Sequence, residues 1–189
     1  MEKEIKKRQE ETEPDNVLEI IEMFDASPER VFNAWTKRQD FISWYGPEGF
    51  TVPFCEMDVR VGGAWRACIK SPKGEEYWMQ GKYIEISSPS RLVFTYGDGS
   101  GQGLMGETIV TIEFNRVGNK TRMIFRQTNF PTKELRDSHN GGWSSAFECL
   151  RDFTAASDSG KILLATGDAI SAITNLMAAV EDEKVYRSI

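Results

Sequence analysis

The chain has 189 residues, 40% of them hydrophobic and 28% charged, with a formal net charge of −6. Such a composition suits one globular domain with a sizeable core and excludes wholesale disorder or a fibrous protein. The acidic balance gains nothing from a polyanion's field, so nucleic acid is not an expected partner.

No run approaches the roughly 18 apolar residues that cross a bilayer, so no membrane span is expected. The segment Met1–Glu13 is a mixed-charge arm without the apolar stretch of a secretory signal, which makes the cytoplasm the expected compartment. Cys55, Cys68 and Cys149 are widely spaced and form no C-x-x-C pair, so they read as buried free thiols. No metal and no cofactor are expected.

After Pro14, the branched and partly alternating run Val17–Asp25 predicts a first strand. Ser27-Pro28-Glu29 then opens a helix: Ser27 caps free amides, Pro28 suits the first turn, and Glu29 favours the positive end of the dipole. Val31, Phe32, Ala34 and Trp35 give this helix an apolar side. A second short helix is predicted near Gln39–Trp44, stopped by Gly46-Pro47.

Strand signals follow at Phe50–Val59, Ala64–Lys70, Tyr77–Ile86, Arg91–Tyr96, Thr108–Phe114 and Thr121–Thr128. They are punctuated by Gly62-Gly63, Ser71-Pro72-Lys73-Gly74 and Val117-Gly118-Asn119, and such short connections suit antiparallel neighbours. Between Tyr96 and Glu107 runs the loop Gly97–Gly106, five of whose ten residues are glycine. It is no phosphate cradle, because no Gly-Lys-Ser/Thr and no helix signal follow it.

Helical sequence resumes at Pro131, and Trp143, Phe147, Leu150 and Phe153 recur at the spacing of an apolar stripe docked on a sheet. Beyond Ser157 the composition changes, and Ile170, Ile173, Leu176, Met177 and Val180 predict an amphipathic helix. The expected organisation is an arm over 1–13, one domain over 14–157 and a helical extension over 158–189.

This element order predicts an α+β fold. A curved antiparallel sheet of about six to seven strands wraps a long C-terminal helix, with two short helices after strand 1. A sheet curled around one helix tends to leave a cavity.

The residues also carry a family resemblance. Ser27–Trp35 resembles the opening helix of the family of activators of the heat-shock-protein-90 ATPase, within the START/SRPBCC superfamily. Trp44-Tyr45-Gly46-Pro47 is similar to its short-helix exit, and Asp58–Trp65 to its double-glycine hairpin. Gly81, Glu85-Ile86 and Pro89–Leu92 resemble its middle strands. His139-Asn140-Gly141-Gly142-Trp143 with Leu150 resembles the start of its closing helix. The resemblance covers about Asn16 to Ser157 and implies a helix-grip fold with an internal pocket. It implies no fixed chemistry, since members include binding proteins, lipid carriers, aromatase/cyclases and co-chaperones.

Trp44, Phe54, Trp65, Trp78, Phe94, Met105, Phe125, Trp143 and Phe147 are the candidate apolar pocket residues, because large aromatic surfaces suit an apolar site. The plain alternative for each is core packing. Arg66, Gln80, Arg122, Arg126 and Gln127 interrupt strands, and an inward one would orient a ligand's polar group. Exposure on the convex face is the simpler expectation for each of the five. Of these, Arg66, Gln80 and Arg126 join His139 as the candidate polar pocket.

His139 is the only histidine, and without a visible catalytic partner it reads as a structural first-turn residue; no catalytic residue is assigned. The leading expectation is a non-enzymatic module that binds a small hydrophobic or amphipathic molecule between sheet and helix, entry being gated by Gly97–Gly106 and Gln39–Pro47. The alternatives are a co-chaperone acting on an ATP-driven chaperone and an aromatase/cyclase- or hydrolase-like enzyme using the same cavity. The protein is expected to be a monomer or, through its amphipathic tail, a homodimer.

Overall fold

The computed structural model describes residues 16–99 and 106–156. The chain divides into two compact units, Met1–Thr154 and Ala155–Ile189. The arm over 1–13, the extension over 158–189 and Met105 lie outside the described residues.

Strand β1 (Leu18–Phe24) leads into helix α1 (Pro28–Thr36) and the short helix α2 (Arg38–Phe41). Ser27 caps α1 through a 3.3 Å bond accepted from the Arg30 amide, and Pro28 occupies the first turn. The cap satisfies an amide that has no partner within the helix, and proline's missing N–H falls where none is needed. Val31, Phe32, Ala34 and Trp35 bury the inner side of α1.

Six further strands follow: β2 (Thr51–Met57), β3 (Ala64–Lys70), β4 (Glu76–Ser87), β5 (Arg91–Asp98), β6 (Thr108–Val117) and β7 (Lys120–Thr128). A long helix, α3, spans residues 133–156. The strands form one seven-stranded sheet in the order β1-β7-β6-β5-β4-β3-β2, antiparallel at every pairing. Only the β1–β7 pairing joins strands distant in sequence. Register shifts between Thr51 and Phe54 and between Tyr83 and Glu85 break the regular ladder and help to curve it. The result is the helix-grip arrangement expected from the sequence.

Side chains alternate cleanly along the central strands. Thr108, Val110, Ile112 and Phe114 of β6 and Thr121, Met123, Phe125 and Gln127 of β7 are buried toward α3. The helix answers with Trp143, Ala146, Phe147 and Leu150. Trp35 of α1 lies at the centre, with its ring 4.7 Å from Trp44, 5.9 Å from Trp143 and 6.2 Å from Phe94.

Gly81 shows how tightly this interior is fitted. A Cβ there would collide with the Thr95 carbonyl and stand 2.6 Å from the indole nitrogen of Trp65. That nitrogen donates to the same carbonyl at 3.1 Å, so the missing side chain is what lets the indole lie against β4.

Candidate functional site

The aromatic interior and the open end of the grip differ sharply in how they are filled. Deep inside, Trp35, Phe41, Trp65, Tyr83, Leu92 and Phe94 leave a void of only about 10 Å³. Toward the end bounded by the α2–β2 connection lies a cavity of about 490 Å³. Its walls come from three places: Tyr45, Gly46 and Pro47 of that connection; Leu135, Ser138, His139, Gly142, Trp143 and Ala146 of α3; and the ends of β3, β4 and β5, including Ile69, Tyr77, Met79, Tyr96 and Asp98. Tyr45 and Trp143 line both spaces and separate them.

Trp143 is held by a buried relay. Its indole N–H donates to Gln127 Oε1 at 2.8 Å, Gln127 Nε2 donates to Thr108 Oγ1 at 2.8 Å, and Thr108 donates to the Tyr96 carbonyl at 2.7 Å. Three strands thereby fix one ring of the helix. Gln127 is fully buried, so the simple expectation of an exposed polar residue fails for it. An amide with both ends satisfied is tolerated where an unpaired one is not.

The polar groups of the cavity include phenols, one imidazole, the Ser138 hydroxyl and two carboxylates. Tyr45 and Tyr96 both line the space. Burial pushes Tyr96 up to about 12 and Tyr45 well above the usual phenol range, so both stay protonated at neutral pH. His139 Nδ1 lies 2.8 Å from the Leu135 carbonyl, one helical turn back. A carbonyl only accepts, so Nδ1 carries the proton and Nε2 of the neutral ring is an acceptor. Burial lowers the His139 pKa, partly offset by the Leu135 bond, and this favours the neutral ring. Phe130 and Tyr96 meet the ring edge to face, at 5.2 and 5.9 Å. Glu76 and Asp98 also border the space, and Glu76 stands 3.5 Å from Lys70 Nζ.

The residues singled out in the sequence are distributed over four settings. Trp143, His139 and Trp78 border the large cavity. Trp44, Trp65, Phe94, Phe125 and Phe147 are buried in the aromatic core, and none of them lines the large cavity. Phe54, Trp78 and Arg66 share the opposite face of the sheet: the Phe54 and Trp78 rings are 5.3 Å apart, and the Arg66 guanidinium sits 4.5 Å over Trp78. Arg66 also donates to the Gly99 carbonyl at 3.1 Å. Gln80, exposed on the same face, reaches the Asp98 carbonyl at 3.5 Å. Arg122 and Arg126 are exposed on the outer face of β7, where Arg126 pairs with Glu19 at 3.2 Å. Cys55 and Cys68 are buried and Cys149 half-buried, all three free. Burial raises each thiol's pKa, that of Cys55 to about 11. Among the described residues, no group of three or more His, Cys, Asp or Glu side chains is placed to hold a metal ion, and no helix is long and apolar enough to cross a membrane.

Tyr45, Met79 and Tyr96 were not singled out from sequence. Tyr96 lies two residues beyond Phe94 and therefore on its face. Met79 lies on the face opposite Trp78 and Gln80, and pairs with Ala67 in the Trp65 row.

A curved antiparallel sheet, a long closing helix and a cavity at the open end of the grip define a helix-grip domain. The family model for the Activator of Hsp90 ATPase homolog 1-like protein matches residues 25–155, and the chain belongs to that family. Solved structures agree on the fold. An AHSA1 protein from Silicibacter pomeroyi is 25% identical, with a TM-score of 0.67 over 75% of this chain and 99% of its own. A protein from Nitrosomonas europaea is 18% identical, with a TM-score of 0.66 over 78% of this chain and 99% of its own. One from Chromobacterium violaceum is 25% identical, with a TM-score of 0.64 over 74% and 96%. No curated protein sequence matches the chain.

Proposed function

We propose that this protein binds a small hydrophobic or amphipathic molecule in the cavity between α3, the α2–β2 connection and the ends of β3–β5, without chemical turnover. The observation that carries this reading is the cavity's volume of about 490 Å³, within the roughly 300–1,000 Å³ of small-molecule sites. Its aromatic and aliphatic walls (Tyr45, Ile69, Met79, Tyr96, Leu135, Trp143) favour an apolar body, and Tyr45, Tyr96 and His139 supply a few polar contacts. Tyr45–Pro47 and Gly97–Asp98 lie where a ligand enters, so movement of those two segments would gate it.

Thermal-shift screening and native mass spectrometry with a panel of lipids and aromatic polyketides test the proposal. A bound mass, or a rise in melting temperature that saturates with ligand, is expected for at least one apolar class. No effect from any member of the panel contradicts it.

The family's name supports a second reading, in which the domain acts on an ATP-driven chaperone through its surface. A chaperone ATPase assay separates the two: stimulation that survives filling of the cavity supports the surface role.

A further inference from the structure

Resting on the ligand-binding reading above, we infer that the cavity selects molecules whose polar end donates hydrogen bonds, a hydroxyl or an ammonium group on an apolar body, and rejects those that end in a carboxylate.

The polar atoms around the space carry this inference. Among the described residues neither lysine nor arginine lines the cavity; its ionisable walls are Glu76, Asp98, His139 and the tyrosines. The nearby cations are already engaged from the other face of the sheet, Lys70 with Glu76 and Arg66 with the Gly99 carbonyl and the Trp78 ring.

His139 offers no positive charge either. Its Nδ1–H is spent on the Leu135 carbonyl, and its other nitrogen accepts. An anion entering such a space loses its hydration without gaining a counter-charge, which is strongly unfavourable. A hydroxyl loses far less. It can donate to His139 Nε2 and accept from a Tyr45 or Tyr96 phenol, all three residues lying in the same walls. An ammonium gains in addition from Asp98, which pairs with Met79 across β4 and β5 and borders the cavity.

Isothermal titration with three probes of equal chain length, 1-decanol, decylammonium and decanoate, tests this at neutral pH and below their micellar concentrations. The alcohol and the amine are expected to bind at least about tenfold more tightly than the carboxylate. The ratio of amine to alcohol separates the two donor sources. The substitution D98N, which removes a carboxylate charge from the wall, is expected to lower that ratio. H139F removes the acceptor nitrogen and is expected to narrow the alcohol's advantage over decanoate.

Decanoate binding as tightly as decanol would overturn the selectivity while leaving the cavity reading intact. Failure of all three probes would overturn both.

Discussion

The two spaces inside this domain are made from the same kinds of side chain and end in opposite states. The interior around Trp35 is closed by rings from α1, the sheet and α3, and retains about 10 Å³. The open end, about 490 Å³, is bounded by a glycine-containing turn of α3, a connection between α2 and β2, and strand ends. Aromatic content therefore does not decide where a cavity lies. What decides it is whether opposed elements each contribute a large side chain at the same level. At the level of Phe125 and Phe147 they do, with rings 5.2 Å apart. Beyond Trp143, toward the start of α3, the helix presents Gly142, His139 and Ser138 instead, and the space opens.

The sharpest way to break this contrast is to empty the interior. Trp35→Ala is expected to cost about 3–5 kcal/mol in chemical denaturation, the usual cost of deleting a buried large aromatic side chain. The mouth tolerates more: Met79→Ala, at the wall of an existing cavity, is expected to cost less than that while changing ligand affinity. Equal losses at both sites would show that the two regions are packed alike.

Gln127→Leu comes next. It strands the Trp143 indole N–H and removes the donor to Thr108, and buried groups left unpaired cost about 1–3 kcal/mol each. Because Trp143 separates the two spaces, this variant is also expected to weaken ligand binding. Arg126→Ala, on the exposed face of the same strand, is expected to change stability by no more than about 0.5 kcal/mol and binding not at all.

The smallest effect is electrostatic. Burial lowers the His139 pKa in the folded protein, so the unfolded chain takes up that proton first. Its contribution to stability is complete above its ordinary value near 6.5 and is lost as the pH falls below it. His139→Gln is expected to flatten that part of the pH dependence of melting temperature between pH 7 and 5. An unchanged profile would place the proton elsewhere.

Much of this was legible in the sequence and some was not. Ser27-Pro28-Glu29 marks the α1 start, and the strand order follows from short turn-bounded segments. The wall of α3 that faces inward follows from the spacing of Trp143, Phe147 and Leu150. Strand faces were the weak point. Trp78 attracts notice as the largest side chain of β4, and the register Cys68–Trp78 sets it on the face opposite Tyr77 and Met79, which border the same cavity. That parity follows from pairing between strands, which local composition does not contain. Gln127 resembles Arg126 in pattern, and only its neighbours across β6 and α3 reveal that it is buried. Tyr45 lies in a connection whose path depends on how α2 packs.

Gly142 offers the most direct test of the central claim, that the open end of the grip is the binding space. A Cβ built there meets nothing within 4 Å among the described residues beyond the helix's own backbone, and the same holds at Gly141, its neighbour, which those residues do not place in the cavity lining. Both lie in the α3 helix, where replacing glycine favours the helical state. Fluorescence titration with the uncharged probe 1-aminoanthracene should then give a clear split. Gly142→Phe is expected to abolish binding without lowering the melting temperature, while Gly141→Phe binds as the parent protein does. Undiminished binding by a folded Gly142→Phe protein would contradict the account.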